Sequence, residues 1–406
     1  MTSLLEILWI VVQVLVGYHL VLPLFMYLIY CLVPKKYQHL PQGNFGDNAE
    51  PDYAIIVTAY QQTDNLPVVV NKLLEQTYTN YLIYVVADNC DITNLHFVSD
   101  KVILLRPEQV LAGNTKSHFY AIQRFKREHS HITIIDSDNI THPQYLAELN
   151  KLFAKGFSAV QGIRNPKNLN TTYACLDAAR DIYYHFYDGK VLFTLGSSAT
   201  LAGSGMAFTV RLYRDCLEHN PISGAGFDKV LQYEILKRGY RIAFTEDAEV
   251  LDEKTSKTDQ LVNQRARWIN TWFKYCKFGF FLFVKGVMRF NINQILFGIV
   301  LLRPPLFIFL LLGIVFMLVN VLLQPVAALI WALGFAAFVL GFMVSLWSSH
   351  TPKVVYESLI NIPKFMYYQV ISLLHARNAN KRSVATVHSA PPVSDNLTVN
   401  DSSQQS

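Results

Sequence analysis

The sequence predicts an α/β domain with a mainly parallel sheet, carried on about three membrane-spanning helices. Three observations predict it. Short β-branched runs alternate with helical periodicity between residues 53 and 136, and acidic residues stand at the ends of those runs. The apolar excess of a 406-residue chain, 51% hydrophobic and only 16% charged, is gathered at its two ends.

Leu4 to Val33 is almost wholly apolar, against the roughly 20 residues that a spanning helix needs. No basic stretch precedes it, and Pro34-Lys35-Lys36 follows in place of a small-residue cleavage site, so it reads as an uncleaved anchor rather than a signal peptide. Tyr53 to Thr58 is the first strand, Leu66 to Gln76 a helix, Tyr81 to Ala87 a second strand and Val102 to Leu105 a third. Lys116 to Glu128 then reads as a helix and Ile132 to Ile135 as a strand ending at Asp136. In open sheets of this kind ligands bind beyond the carboxyl ends of the strands, where Asp88 and Asp136 fall.

Phe278 to Asn293 and Pro352 to Arg377 mix aromatic or apolar residues with cations, as helices lying in a membrane interface do. Between them, Ile295 to Leu323 and Val326 to Ser345 form a hairpin of two further spans, the first interrupted by Arg303-Pro304-Pro305. Arg303 reads either as lining a polar path for a saccharide or as snorkelling to the interface. Lys35, Lys36, Lys285, Arg289, Lys353, Lys364, Arg377, Lys381 and Arg382 flank the spans on one side, placing the central region and the C-terminus in the cytoplasm. Ser383 to Ser406 has the composition of a disordered tail.

The net charge of +5 is explained by these flanks and needs no nucleic acid. Cys31, Cys90, Cys175, Cys216 and Cys276 are scattered without a zinc-ligand spacing and read as free thiols in a reducing compartment. The sequons at Asn139, Asn170 and Asn396 carry no glycan on a cytoplasmic face.

The acids and cations carry the chemistry. Asp136-Ser137-Asp138 follows a buried strand, so two carboxylates emerge on a tight turn where they can hold a divalent cation bridging a diphosphate; an isolated Asp-x-Asp is otherwise a solvated turn. Asp88, with Asp91 three residues on, ends a strand and can accept hydrogen bonds from a nucleotide's base or ribose, or can simply start a turn. Lys116, at the start of a helix after Gly113, suits a phosphate. Gln264, Arg267 and Trp268 share a helix face at three- and four-residue spacing. There arginine can neutralise a leaving diphosphate and tryptophan can stack on a sugar, although a basic aromatic helix is also how an interfacial anchor looks.

Together these motifs, from about Tyr53 to Trp268 with the anchors on either side, resemble the membrane-bound family 2 glycosyltransferases, the group of cellulose, chitin and hyaluronan synthases and ceramide glucosyltransferase. The resemblance implies a GT-A fold, a nucleotide-diphosphate sugar donor, expected to be a UDP-sugar, Mg²⁺ or Mn²⁺, and inversion at the anomeric carbon. It implies that Asp88 binds the nucleoside, Asp138 the metal, Lys116 the nucleotide, and that Gln264, Arg267 and Trp268 form the Gln-x-x-Arg-Trp motif. Gly203 and Gly205 look like the floor of the acceptor site.

The family's base is the aspartate of a Thr-Glu-Asp motif that opens a helix ending in glycine, with a strand before Gln-x-x-Arg-Trp. The literal Thr245-Glu246-Asp247 lies only 17 positions before Gln264 (264 − 247), too close for that helix and strand. Asp228 lies 36 before it (264 − 228) and opens a helix ending at Gly239, so Asp228 is the expected base, with Phe227 where the family has glutamate.

The expectation is an inverting, metal-dependent transferase acting on a membrane-associated saccharide or lipid-linked acceptor in surface polysaccharide synthesis, with its catalytic domain on the cytoplasmic side of a bacterial plasma membrane. The expected divisions are an anchor over 1–37, the GT-A domain over 38–275, an interfacial helix over 276–294, the hairpin over 295–348, a second interfacial segment over 349–382 and the tail over 383–406. Three spans are few for a pore, so a processive synthase would have to assemble as a homo-oligomer or with a partner. A non-catalytic saccharide-binding protein would keep the fold, whereas a transporter leaves the cytoplasmic carboxylates unexplained.

Overall fold

The computed structural model describes residues 4–33, 50–220, 222 and 224–379. The expected tail over 383–406, the sequon at Asn396 and the flanking cations Lys35, Lys36, Lys381 and Arg382 lie outside them.

Eight strands form one sheet in the order β3-β2-β1-β4-β7-β6-β8-β5. They are β1 (Tyr53–Tyr60), β2 (Tyr81–Asp88), β3 (Val102–Leu105), β4 (His131–Asp136), β5 (Ile140–Thr141), β6 (Ala159–Pro166), β7 (Met206–Thr209) and β8 (Ile242–Asp252). The first four, as expected, are parallel neighbours. Beyond β4 the sheet is mixed: β7 runs antiparallel to β4 and β6, β5 antiparallel to β8, and β6 parallel to β8. Only β5 and β7 run against the other six strands, so the sheet is mainly parallel, as expected.

Helices α1 (Leu4–Leu32), α2 (Leu66–Leu74), α3 (Asn114–Ile122), α4 (Tyr145–Phe153), α5 (Thr172–Tyr184), α6 (Leu192–Thr194), α7 (Val210–Leu217) and α8 (Phe227–Lys237) accompany these strands. One face of the sheet packs on α2 and α4 through Val69, Leu73, Leu149 and Phe153. The other packs on α3, α7 and α8 through Ala121, Leu212 and Leu231. The strands are buried on both faces, which is why they read as continuous apolar runs rather than alternating ones.

A seven-residue π-helical stretch, His185–Val191, continues α5. After β8 come α9 (Thr258–Tyr275), α10 (Lys277–Met288), α11 (Ile292–Leu302), α12 (Leu306–Leu323), α13 (Pro325–Ser348), α14 (Lys353–Ser358) and α15 (Ile362–His375). The expected span over 295–323 is two helices: Pro304 and Pro305 lack an N–H to donate, so α11 ends at Leu302 and α12 starts afresh. α10 and α11 form a close hairpin, in which a Cβ on Gly279 would meet the Gly298 carbonyl oxygen at 2.9 Å.

Among the described residues three helices, α1, α12 and α13, are long and apolar enough to cross a membrane. Gln13 joins them, its amide oxygen accepting from Asn320 of α12 and, at 2.9 Å, from the Trp331 indole N–H of α13. In an apolar surrounding such a junction is favoured because each group would otherwise lack a partner.

Candidate active site

Strand register places the first acids. β1 runs between β2 and β4 with Tyr60 opposite Asp88 and Thr58 opposite Asp136, so both aspartates emerge at the same edge of the sheet. Over that edge lies a cavity of about 1200 Å³, closed by the start of α8, one face of α9, the α5–π-helix segment and the α11–α12 junction. Asp88, Asp136, Asp138, Gly203, Phe227, Asp228, Gln264, Arg267 and Trp268 all line it. Residues 176 positions apart in sequence, Asp88 and Gln264, thus meet at one opening (264 − 88).

Asp88 is 2% exposed, and its two carboxylate oxygens accept the backbone N–H groups of Leu111 (3.0 Å) and Ala112 (2.8 Å). Its carbonyl accepts from Gln61 N–H at 3.1 Å. Gln61, Asn89 and Ala112 have φ of +61°, +53° and +45°, left-handed values uncommon outside glycine. Asp88 therefore ties down a strained loop at the strand ends, and its remaining lone pairs are what a nucleotide could use.

Three of the residues singled out in sequence stand apart. Asp91 is exposed outside the cavity, closing a local turn through Thr93, whose hydroxyl and N–H hold the carboxyl below its ordinary range. Lys116 is exposed on α3 and does not line the cavity; Gly113, Asn114 and Ser117 of the same segment do. Gly205 lies beneath the lining at φ +66°, where a Cβ would come within 3.1 Å of Val250.

The Gly203–Gly205 turn supports the acids from below. Gln161 donates to the carbonyls of Ser204 (3.0 Å) and Gly205 (3.1 Å) and accepts from Ala202 N–H (2.9 Å), while Asp136 N–H donates to Ser204 Oγ (3.0 Å). Asp138 is buried, with Asn139 Nδ2 shared between its Oδ1 (3.2 Å) and Asp252 Oδ1 (3.1 Å). Among the described residues no three His, Cys, Asp or Glu side chains converge as metal ligands. Two carboxylates on one turn at the cavity wall are a hard-oxygen donor set suited to a divalent cation such as Mg²⁺ or Mn²⁺.

From Asp252 a buried ionic network spreads that the sequence reading missed. Asp252 pairs with Arg164 (2.7 Å) and Lys254 (2.8 Å), and Lys254 also with Asp181 (2.6 Å). Arg180 bridges Asp181 and Asp177, and Asp177 also holds Arg265. Burial alone would raise the carboxyls of Asp181 and Asp252, but Arg180 and Lys254 for the first, Arg164 and Lys254 for the second, bring both well below the usual range. Burial opposes the charge on Lys254, yet Asp181 and Asp252 push its pKa up to about 12. The available signal was the polar stripe Asp177, Arg180, Asp181, Tyr184, Asp188 on an otherwise apolar helix.

That network also holds the motif helix. Trp268, 42% exposed, has the guanidinium groups of Arg265 and Arg180 at 4.2 and 4.3 Å from its ring centroid. Gln264 accepts from the Thr255 hydroxyl at 3.1 Å. Burial lowers the pKa of half-buried Arg267, which nonetheless remains charged.

Asp228 stands in the first turn of α8, 3.2 Å from Lys229. Gly226 before it has φ +99°, and a Cβ there would lie 2.6 Å from both Thr271 and Tyr275 of α9. Glycine is what lets the Asp228 turn approach the motif helix so closely. Phe227 is largely core, its ring edge-on to His118 at 5.2 Å. Asp247 lies in an exposed irregularity of β8, bonded to Thr245 and outside the cavity. Arg303 is buried and paired with Asp188 rather than snorkelling, and both residues line the cavity.

The sequence profile of the family described as Glycosyltransferase like family 2 matches residues 51–271, more than half of the chain. No curated protein matches it. A mannosyltransferase from Pyrobaculum calidifontis, solved with GDP-Man and Mn²⁺, aligns over 90% of this chain and 97% of its own at 13% identity and a TM-score of 0.49. S. aureus TarS 1–349 with UDP-GlcNAc aligns over 81% and 90% at 14% identity and a TM-score of 0.41.

Proposed function

The chain belongs to family 2 of the glycosyltransferases, with the GT-A fold, and from that premise we propose a metal-dependent, inverting transfer from a nucleotide-diphosphate sugar, with UDP as the expected nucleotide, to a membrane-associated saccharide or glycolipid. The observation that carries the proposal is the convergence of Asp136, Asp138, Asp228, Arg267 and Trp268 on one cavity beside the membrane helices.

Asp228 takes the proton of the acceptor hydroxyl as that oxygen attacks the anomeric carbon. A base so placed contributes roughly 10²- to 10⁴-fold. The new C–O bond forms on the face opposite the departing diphosphate, whose C–O bond breaks with the electron pair leaving on the phosphate oxygen. One displacement of this kind inverts the anomeric configuration. Arg267 offsets the charge that develops on the leaving group. A divalent ion held by Asp136 and Asp138 would supply further electrostatic stabilisation of the diphosphate. Trp268, 42% exposed with two guanidinium groups over its ring, offers the acceptor sugar the indole surface they leave open.

The three candidate spans and the exposed Phe280, Phe281, Met288 and Phe290 of the α10 region support a multi-pass membrane protein, and with the flanking cations Lys285, Arg289, Lys353 and Lys364 we read its catalytic domain as cytoplasmic, on a bacterial plasma membrane in surface polysaccharide synthesis. The test is release of nucleoside diphosphate from a panel of UDP- and GDP-sugars with Mn²⁺ or Mg²⁺, with mass analysis of the product. Asp228→Asn is expected to lose at least 100-fold in turnover with donor affinity retained, and Asp247→Asn to stay within twofold. Near-full turnover by Asp228→Asn refutes the assignment of the base.

A further inference from the structure

The turn that carries Asp136 and Asp138 is closed from behind by Asn139. Its backbone N–H donates to the Asp136 carbonyl oxygen at 3.1 Å, and its side chain is fully buried behind the cavity lining. Nδ2 lies between two carboxylate oxygens, 3.2 Å from Asp138 Oδ1 and 3.1 Å from Asp252 Oδ1. Ionised carboxylates only accept, so the amide must turn its NH₂ group towards them, and that group has one hydrogen for each. Asn139 Oδ1 has no hydrogen-bond partner among the described residues. A buried amide that leaves its oxygen unpaired calls for a reason.

Sheet register sets the contact. β5 runs antiparallel to β8 with Ile140 opposite Leu251, which brings Asn139 level with Asp252 at the end of β8. Asp252 is fixed in turn from two sides: Arg164 donates to its Oδ1 at 2.7 Å and Lys254 to its Oδ2 at 2.8 Å. Arg164 also donates to the Ala202 carbonyl beside the Gly203–Gly205 turn, and buried Lys254 is tied to Asp181. Two carboxylates on one amide repel each other, and the repulsion is tolerated because Arg164 and Lys254 neutralise Asp252. The amide that grips Asp138 is therefore anchored to a charge that cannot shift without breaking two buried ion pairs.

We infer that Asn139 and Asp252 are positioning residues for the divalent cation: they fix the plane of the Asp138 carboxylate in advance, so that the ion meets an oriented ligand. Asp252 is not itself a ligand, since its two oxygens are committed to Arg164 and Lys254. The inference rests on the metal reading of Asp136 and Asp138 above and adds the partners that aim one of them. Partners of this kind are worth roughly 10- to 100-fold in metal affinity.

Mn²⁺ alone is titrated into the full-length protein in detergent, and uptake is read from the loss of the free-ion electron paramagnetic resonance signal. Nucleoside diphosphate release is followed separately against Mn²⁺ concentration. Asn139→Ala cuts the link and leaves both acids in place. It is expected to weaken Mn²⁺ binding roughly 10- to 100-fold and to raise the half-activating concentration by the same factor, while turnover at saturating Mn²⁺ stays within about threefold. A loss of folded protein would instead lower turnover without moving either concentration. Asn139→Ser, too short to reach both acids, is expected to act in the same direction and serves if the alanine variant does not fold. Gln76→Ala is the control for a loosened strand. Its amide donates to Thr141 Oγ1 (3.2 Å) and the His142 carbonyl (2.8 Å) at the far end of β5, so its loss should lower the melting temperature and keep Mn²⁺ affinity within about twofold.

Unchanged Mn²⁺ binding in the Asn139 variants overturns the inference, as does an equal weakening in Gln76→Ala. So does a parent protein that needs Mn²⁺ for release yet takes up none before the donor is added. Release that persists in excess EDTA removes the metal reading itself, and the inference with it.

Discussion

Gly226→Ala tests whether the close approach of α8 to α9 sets the reaction geometry. The new Cβ would sit 2.6 Å from Thr271 Cγ2 and Tyr275 Cε2, against the roughly 3.5–4.0 Å at which carbon atoms rest, so the helices must part by about 1 Å. Holding alanine at φ +99° adds strain of about 1–2 kcal/mol, and overpacking adds about 1–3 kcal/mol, for a total of about 2–5 kcal/mol. Asp228 is two residues away, and a displacement of about 1 Å at a reacting group costs on the order of 10²-fold in rate. Gly239→Ala is the control: its φ is +88°, but nothing lies within 4 Å of the added carbon, so only the strain of about 1–2 kcal/mol applies. Thermal unfolding of the detergent-solubilised protein and nucleoside diphosphate release are measured for both variants. If Gly226→Ala melts with Gly239→Ala and keeps more than a tenth of parental turnover, the reasoning about this contact is wrong.

The ionic network makes its own prediction. Asp177→Asn strands Arg265, only 2% exposed, and should destabilise by about 3–5 kcal/mol, whereas Asp177→Leu combined with Arg265→Met should recover much of that; equal melting temperatures for Asp177→Asn and the parent count against the pairing. The buried histidines predict acid sensitivity. Burial lowers the pKa of His118 from 6.5 to about 3 and that of His131 to about 4, and neither Nε2 has a hydrogen-bond partner. The unfolded chain therefore takes up these protons first: stability is complete above about pH 6.5 and falls as pH drops towards 4, at roughly 1.4 kcal/mol per pH unit for each histidine. A melting temperature that stays flat from pH 7 to pH 4.5 would contradict this.

Much of the fold was legible because its signals are local. β1, β2 and β4 are legible within a few residues, since strands buried on both faces are mostly apolar runs, and the half-buried β3 is legible as a short run of its own, Val102 to Leu105. The helix opening at Asp228 was found from its terminal Gly239 and its distance from Gln264. α3 ends at Ile122 rather than continuing to Glu128, and β5 and β6 are not legible as strands, because short or half-polar elements are settled by their neighbours in the sheet, whereas β7 is expected only through the family's acceptor-site strand around Gly203 and Gly205. In the cavity, nine of the residues singled out in sequence line one wall or another, while Lys116, Asp91 and Gly205 do not. Helical spacing says which residues share a face but leaves open how that face is turned, and Lys116 went to the surface.

By itself, then, the order of residues determined the three apolar spans, the alternating strands and helices, and the acids at strand ends, since each depends on periodicity or composition within a short window. Tertiary structure alone decided that Asp177 would find Arg265 across 88 positions and Asp188 would find Arg303 across 115, and that two guanidinium groups would lie over the Trp268 ring. No local propensity encodes such partners. A charge is drawn to whichever opposite charge packing brings into the same dry interior, and that choice is made only when the sheet, the motif helix and the membrane hairpin close on one another.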